Sequence, residues 1–197
     1  EENLARLLYD TQPELIKSRL QAMYEDEARR VAHNLAYMES AQKDPAALAI
    51  LLRESLTQHH STEILASLAS HRSEKLDEAA RFINAAQATP AERNACAEQI
   101  LRERIRDLGD KGSLKIEDLD ALRQWTGDVG ADVDATTAIA LGYSVCSGRF
   151  DFEEVSGVVL HYCESSGNQR ILLEFLASNA RFSVREAREL AGKVADP

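Results

Sequence analysis

The sequence has few of the residues that cross-link, kink or break a chain. Among 197 residues there are three cysteines, four prolines and nine glycines. None of the cysteines belongs to a Cys-x-x-Cys pair, and Cys96, Cys146 and Cys163 each lie in an apolar helical context. We therefore interpret them as small buried hydrophobic residues in a reducing compartment, which makes the cytoplasm the expected location.

Basic residues are also scarce. The 23 lysines and arginines face 33 acidic residues, giving a net charge of −10. A surface that binds nucleic acid usually carries an excess of positive charge, so nucleic acid is an unlikely partner. No apolar run approaches the about 18 residues that suggest a membrane span, and we predict none. The chain begins with Glu1 rather than Met, and we expect a fragment or a processed product.

Strand patterns are absent, whereas helical patterns fill most of the chain. Apolar residues recur every three or four positions, as in Leu48, Leu51, Leu52 and Leu56, and alternation never persists. We predict an all-α fold of about eleven or twelve helices, arranged either as an irregular α-solenoid-like repeat or as a multi-helix bundle.

Helix starts are marked by capping boxes. The clearest is Thr89-Pro90-Ala91-Glu92, in which the hydroxyl caps an early amide and the carboxylate reaches back to the cap amide. Thr11 with Glu14 and Asp151 with Glu154 have the same spacing. The two glycines within 108–113 indicate a bend. We therefore predict an N-terminal helical subdomain over 1–107 and a C-terminal helical-hairpin subdomain over 114–197, or a single continuous domain bent at 108–113.

Three segments resemble one another: GSLKIEDL at 112–119, GRFDFEEV at 148–155 and ARFSVREA at 180–187. Their apolar residues Leu114, Phe150 and Phe182 lie 36 and then 32 residues apart. Each segment places a bulky residue between two helices, and such a period is typical of stacked helix pairs. The repeat predicts that these three residues occupy equivalent positions.

The last unit carries a family resemblance. Residues 171–190, ILLEFLASNARFSVREAREL, resemble HEAT or armadillo repeats, whose helix pairs read LLxxL, a turn and then VRxxAxxxL. Residues 62–69, followed by 76–83, are a fainter version. The resemblance implies a curved scaffold that offers a concave surface to a partner, and it implies no catalytic residue.

An EF-hand frame is the first alternative. With Gly112 or Gly148 as the sixth loop position, the twelfth position is Asp118 or Glu154. Calcium needs oxygen ligands at the first, third and fifth positions, where the first loop has Gly109 and Lys111 at the third and fifth. This alternative is therefore a degenerate EF-hand-like regulatory domain that binds no calcium.

Three groups of residues are candidate sites. Arg102, Arg104 and Arg106 form an exposed face that is the candidate partner-binding patch. Two further groups suggest metal or nucleophile chemistry, and we interpret them as a solvated helix end and as core packing respectively: His59, His60 and His71, and Cys146, His161 and Cys163. Adjacent histidines on a helix point about 100° apart, which disfavours shared ligation.

No nucleophile with a base, oxyanion donor or phosphate-binding glycine loop is recognisable. We therefore predict a non-enzymatic protein–protein interaction or regulatory scaffold module with a protein partner, no cofactor and no metal. A helical enzyme of unrecognised class is the second alternative.

Overall fold

The protein is all-α, as the sequence predicts. The computed structural model describes residue 9 and residues 11–110, 114–167, 169–178 and 184–195. Twelve helices and no strand occupy these residues, which confirms the predicted fold class and helix number. Within the same residues, no helix is both long enough and apolar enough to cross a membrane.

The chain divides into two compact units, Glu1–Cys96 and Ala97–Pro197. The division falls inside a long helix, Pro90–Asp110. The predicted bend at 108–113 overlaps the end of this helix, which continues to Asp110 rather than ending near Asp107, and residues 111–113 lie outside the described part of the chain.

Among its described residues, the first unit has six helices of at least five residues and the start of a seventh. They are α1 (Pro13–Gln21), α2 (Glu25–Ala36), α3 (Glu39–Lys43), α4 (Pro45–Ser55), α5 (Gln58–Ser70), α6 (Leu76–Ala85) and α7 (Pro90–Asp110). Helix α4 contacts α1, α2, α3, α5 and α6, and is therefore central. It begins at Pro45, with the Asp44 carboxylate accepting from the amide of Ala47 at 3.0 Å. Its Leu48 and Leu52 are fully buried.

The capping box at the start of α7 is confirmed. The amide of Thr89 donates to the Glu92 carboxylate at 2.8 Å, and the amide of Glu92 donates to the Thr89 hydroxyl at 3.3 Å. The other two boxes were wrong. Helix α1 has Gln12, not Thr11, at its N-cap, and Asp151 caps its helix without a side-chain hydrogen bond.

Glu92 is also the acceptor of a buried ion pair. Only 3% of the residue is exposed, and its carboxylate accepts from Arg53 Nε at 2.9 Å and Nη2 at 2.6 Å. The same Nη2 donates to the carbonyls of Ala86 and Gln87, both at 3.1 Å. Because Gln87 has a φ of +49°, Arg53 holds both the strained turn before α7 and the first turn of α7.

In its described part, the second unit contains the end of α7 and five further helices: α8 (Ile116–Asp128), α9 (Val133–Cys146), α10 (Phe152–Ser166), α11 (Arg170–Ser178) and α12 (Val184–Ala195). Helix α9 packs along α11, and α10 contacts α9, α11 and α12. Helix α9 buries the small residues Thr137, Ala138 and Gly142, which lets its neighbour come close.

A polar cluster joins α8, α9 and α10. Arg123 donates to Asp134 at 2.9 Å and stacks over the Tyr162 ring, 4.2 Å from its centroid. The Tyr162 hydroxyl donates to Asp120 at 2.9 Å. Burial, together with this hydrogen bond, raises the pKa of Tyr162. The phenol therefore stays protonated and acts as a structural donor.

We expect Arg53→Met to destabilise the first unit by about 2–3 kcal/mol, because it leaves the Glu92 charge buried without its partner. The figure lies at the low end for a buried pair because the Arg53 side chain is 27% exposed. Urea unfolding followed by circular dichroism measures it. The matched control is Lys75→Met, which removes an exposed pair with Glu78 at 3.0 Å and is expected to change nothing measurable. Equal effects of the two variants would contradict a special role for Arg53.

The same ion pair predicts acid sensitivity. Burial acts to raise the pKa of Glu92, but hydrogen bonds from Arg53 and Thr89 outweigh it, and the pKa is lowered in the folded protein. The stabilisation is therefore complete above the unfolded pKa of about 4.3 and is lost as the pH falls through the folded pKa. In urea unfolding from pH 7 to pH 3, the free energy of unfolding of the Glu92→Gln variant should fall less on acidification than that of the wild type. An unchanged pH profile would refute this assignment.

Candidate functional site

A cavity of about 270 Å³ in the second unit is lined by arginines. Its walls are Arg102 and Arg106 from α7, Tyr143 and Ser144 from α9, and Ser147 and Arg149 from the corner between α9 and α10 (residues 147–151). We call it the arginine-lined cavity. Three arginine side chains thus line one cavity of a chain whose net charge is −10.

Helix geometry selects two of the three predicted arginines. Arg102 and Arg106 are four residues apart and therefore lie on the same face of α7. Ile105, on another face, is fully buried. Arg104 is rotated by about 200° from Arg102, and it is not among the described residues that line the cavity. Two residues of the predicted patch, Arg102 and Arg106, therefore line the cavity, and Arg104 does not.

The third arginine, Arg149, is positioned by the backbone of the corner between α9 and α10. Helix α9 ends at Cys146, and Gly148 follows with a φ of +69°. The amide of Gly148 donates to the carbonyl of Val145, and the amide of Arg149 to that of Ser144, both at 3.0 Å. These two bonds form a Schellman motif, in which the left-handed position favours glycine. The motif fixes the backbone of Arg149 at the edge of the cavity.

Phe150 anchors the corner on α7. Its side chain is buried, and it lies so close to the backbone of Gly109 that a Cβ added there would stand 3.2 Å from Phe150 Cε2. The absence of a side chain at Gly109 therefore permits the contact. Next to it, Arg149 Nη1 donates to Asp110 Oδ1 at 2.6 Å. Together these contacts hold the corner beside the helix that carries Arg102 and Arg106.

Each arginine of the cavity also meets a carboxylate of α7. Arg102 pairs with Glu98 and Arg106 with Glu103, while Asp107 lies 3.8 Å from Arg106. The pair of Arg149 with Asp110 is well exposed, and such surface pairs contribute about 0–1 kcal/mol each. These carboxylates orient the guanidinium groups. An anion that displaces a carboxylate from a weak surface pair loses little interaction energy by doing so.

Tyr143 gives the cavity one apolar wall. Its residue is 50% exposed, and the guanidinium of Arg102 stacks 4.7 Å from its ring centroid. The two serines contribute no donor, since Ser144 Oγ donates to the carbonyl of Leu141 at 2.6 Å and Ser147 Oγ to that of Ser144 at 3.1 Å. Recognition of an anion in this cavity therefore rests on the arginines.

The histidine prediction missed one neighbour. Glu63 stands four residues after His59, and the structure brings His59, His60 and Glu63 together, with ligand atoms within 4.8 Å of one another. However, Arg29 holds the Glu63 carboxylate with both Nε, at 2.9 Å, and Nη2. This hydrogen bonding lowers the pKa of Glu63. A cation would have to displace Arg29 at the positive end of α5, so we do not assign a metal there.

His71 belongs to a different contact, with the Tyr37 hydroxyl 3.4 Å from its Nδ1. Among the described residues, one group of potential metal ligands lies close together, namely His59, His60 and Glu63. The structure therefore does not bring Cys146, His161 and Cys163 together as ligands. Burial raises the pKa of the Cys163 thiol, which keeps it protonated.

The connection between α9 and α10 is shorter than the second loop of the EF-hand alternative. That loop would start at Tyr143, but residues 143–146 are helical, and only residues 147–151 separate α9 from α10. In the repeat alignment, Leu114 and Phe150 are both buried between helices of the second unit, while Phe182 lies outside the described residues. The equivalence of all three stays a prediction.

No protein-family model, no curated protein and no solved structure matches this chain.

A double-mutant cycle tests the close approach of the corner to α7. We expect Gly109→Ala to be stabilising in a Phe150→Leu background but to gain less, or to destabilise, in the wild type, because the new Cβ meets the Phe150 ring. The two effects should differ by at least about 0.5 kcal/mol, as measured by urea unfolding.

Gly157→Ala is the control, since a Cβ there meets nothing within 4 Å. Its gain of about 1 kcal/mol should be the same in both backgrounds. Additivity at Gly109 as well would show that Phe150 does not press on the α7 backbone.

Proposed function

We propose that this chain is a non-enzymatic protein–protein interaction module whose arginine-lined cavity receives an acidic group of the partner. The observation that carries the proposal is the convergence of Arg102, Arg106 and Arg149 on one cavity from two separate parts of the chain. Guanidinium groups are the side chains best suited to bind carboxylate or phosphate groups through paired N–H donors.

Binding is favoured over catalysis by the state of the nucleophilic groups. The protons of Ser144 and Ser147 are committed to backbone carbonyls. In the second unit Cys163 is buried, and in the first unit burial raises the pKa of Cys96 to about 12. A thiol with such a pKa carries almost no thiolate at neutral pH and is a poor nucleophile.

A protein is the favoured partner because of the charges around the cavity. Glu98, Glu103, Asp107 and Asp110 flank its arginines, and the chain as a whole carries −10. A long polyanion such as nucleic acid would meet repulsion from these groups and from the rest of the acidic surface, whereas a single acidic side chain would be held next to the three arginines. The half-exposed ring of Tyr143 adds apolar surface of the kind that interface cores use.

A scaffold role in the cytoplasm completes the proposal. The HEAT- or armadillo-like arrangement is supported in the second unit by contacts between second neighbours along the chain, α9 with α11 and α10 with α12, which stacked helix pairs make. Such stacking would present the corner and its arginine as part of a binding surface for the partner.

Affinity purification with matched variants tests the proposal. The chain, the double variant Arg102→Gln/Arg149→Gln, and the single variants Arg104→Gln and Arg188→Gln are compared as baits in extracts of its own cells. A specific partner should be retained by the wild type and both single variants and depleted about tenfold by the double variant, which corresponds to about 1.4 kcal/mol.

Thermal melting of each bait shows whether the double variant is folded. A partner that binds the folded double variant as well as it binds the wild type would contradict the proposal. A partner whose binding depends on Arg104 or Arg188 alone would also contradict the proposal. Arg104 is not among the described residues that line the cavity, and Arg188 is an exposed residue of α12.

A further inference from the structure

The arginine-lined cavity offers more donors than a carboxylate can accept. One guanidinium presents five N–H groups, whereas a carboxylate has two oxygens with about four acceptor positions. Here three arginines line one cavity, and the nearest contacts of the ion pairs to Glu98 and Asp110 are made by Nη2 of Arg102 and Nη1 of Arg149. A ligand with one planar acid group would leave much of this donor capacity unused.

A phosphate monoester matches this donor set. It has three terminal oxygens and carries a charge of about −1.5 to −2 at neutral pH. It therefore accepts hydrogen bonds from several guanidinium groups at once and competes better than a monovalent carboxylate with Glu98, Glu103 and Asp110. Arg102 Nε is buried, so a ligand in the cavity would contact the terminal nitrogens of Arg102, one of which pairs with Glu98.

The size and surroundings of the cavity select a phosphorylated side chain over other phosphates. At about 270 Å³ it is smaller than the roughly 300–1,000 Å³ of pockets that enclose whole small molecules. The flanking carboxylates disfavour a chain of phosphates. Beside the arginines, the Tyr143 ring is half exposed and lies under Arg102, where it can pack against the residues that flank a phosphorylated position.

We propose that the arginine-lined cavity recognises a phosphorylated serine, threonine or tyrosine side chain of a protein partner, with Arg102, Arg106 and Arg149 holding the phosphate and Tyr143 contacting the flanking residues. This inference rests on the proposed function, since it names the acidic group that the module receives. Partner binding would then depend on phosphorylation of the partner.

Calorimetric titration of the full chain with blocked amino acids tests the inference. The probes are N-acetyl-phosphotyrosine amide, N-acetyl-phosphoserine amide, N-acetyl-glutamate amide and inorganic phosphate. At least one phosphorylated amino acid should bind about tenfold more tightly than the glutamate probe and more tightly than inorganic phosphate. Its affinity should rise between pH 5 and pH 7.5, since the second pKa of a phosphate monoester is about 6. That of the glutamate probe should not rise.

Single variants assign the site. Arg102→Gln and Arg149→Gln should each weaken the phosphorylated probe about tenfold. Arg102→Lys, which keeps the charge but not the paired donors, should restore only part of that loss. Arg104→Gln should bind as the wild type does. Variants are compared only after melting curves show that they are folded.

The outcomes separate the two proposals. Equal, Arg102-dependent binding of the phosphorylated and glutamate probes would overturn phosphate recognition and leave the acidic-group module standing. Tighter binding of inorganic phosphate than of either phosphorylated amino acid would replace the protein side chain by free phosphate as the ligand. Absence of binding by every probe, or binding unaffected by Arg102→Gln and Arg149→Gln, would overturn both proposals.

Discussion

The packing of the Phe150 ring against the bare backbone of Gly109 is the contact on which the site depends. It joins the corner after α9 to the last turns of α7, two segments that are some forty residues apart in sequence. Arg149 precedes Phe150 in the chain, and Asp110 follows Gly109. The apolar contact between Phe150 and Gly109 therefore also brings Arg149 and Asp110 close enough to form their ion pair. Without this contact Arg149 would not be held beside Arg102 and Arg106, which share one face of α7.

The arrangement of charge around the cavity is a balance rather than a simple positive patch. Each guanidinium is oriented by a carboxylate of α7, and the pair of Arg149 with Asp110 is exposed enough to be exchanged at small cost. This combination keeps the arginines oriented in the free protein and reduces the entropy lost on binding. In the proposed function it would also set specificity, because acidic neighbours disfavour long polyanions while a compact dianion accepts from several of the donors.

The first unit follows a different logic, in which a buried charge secures local geometry. Glu92 closes the capping box of α7 and accepts from Arg53, and Arg53 in turn binds the carbonyls of the turn before the helix. Such a pair contributes less to net stability than its short distances suggest, because both ions lose hydration. Its effect is to specify one conformation for the turn that contains Gln87.

What the sequence could predict depended on whether the interaction was local. The all-α class follows from apolar periodicity, and the Thr89–Glu92 box follows from spacing, because both of its hydrogen bonds join residues three apart. The same spacing failed at Thr11, where Gln12 takes the cap position. Arg102 and Arg106 were found as a patch, but grouping Arg104 with them ignored the rotation of the helix.

Arg149 and Tyr143 were missed because nothing local ties them to α7. Their position depends on a tertiary contact between Gly109 and Phe150, for which the sequence offers only the pairing of a helical glycine with a bulky corner residue. The ion pair of Arg53 with Glu92, 39 residues apart, is beyond sequence reasoning for the same reason. His59 and Glu63 show the opposite case, a helical spacing that was readable and was overlooked.

The most direct test of the central claim is a nuclear magnetic resonance titration that follows the side-chain Nε–Hε signals of the arginines as a phosphorylated amino acid is added. We predict that the signals of Arg102, Arg106 and Arg149 shift together along one saturable curve while those of Arg104 and Arg188 stay in place. Shifts spread evenly over all arginines, or confined to residues outside the cavity, would contradict it.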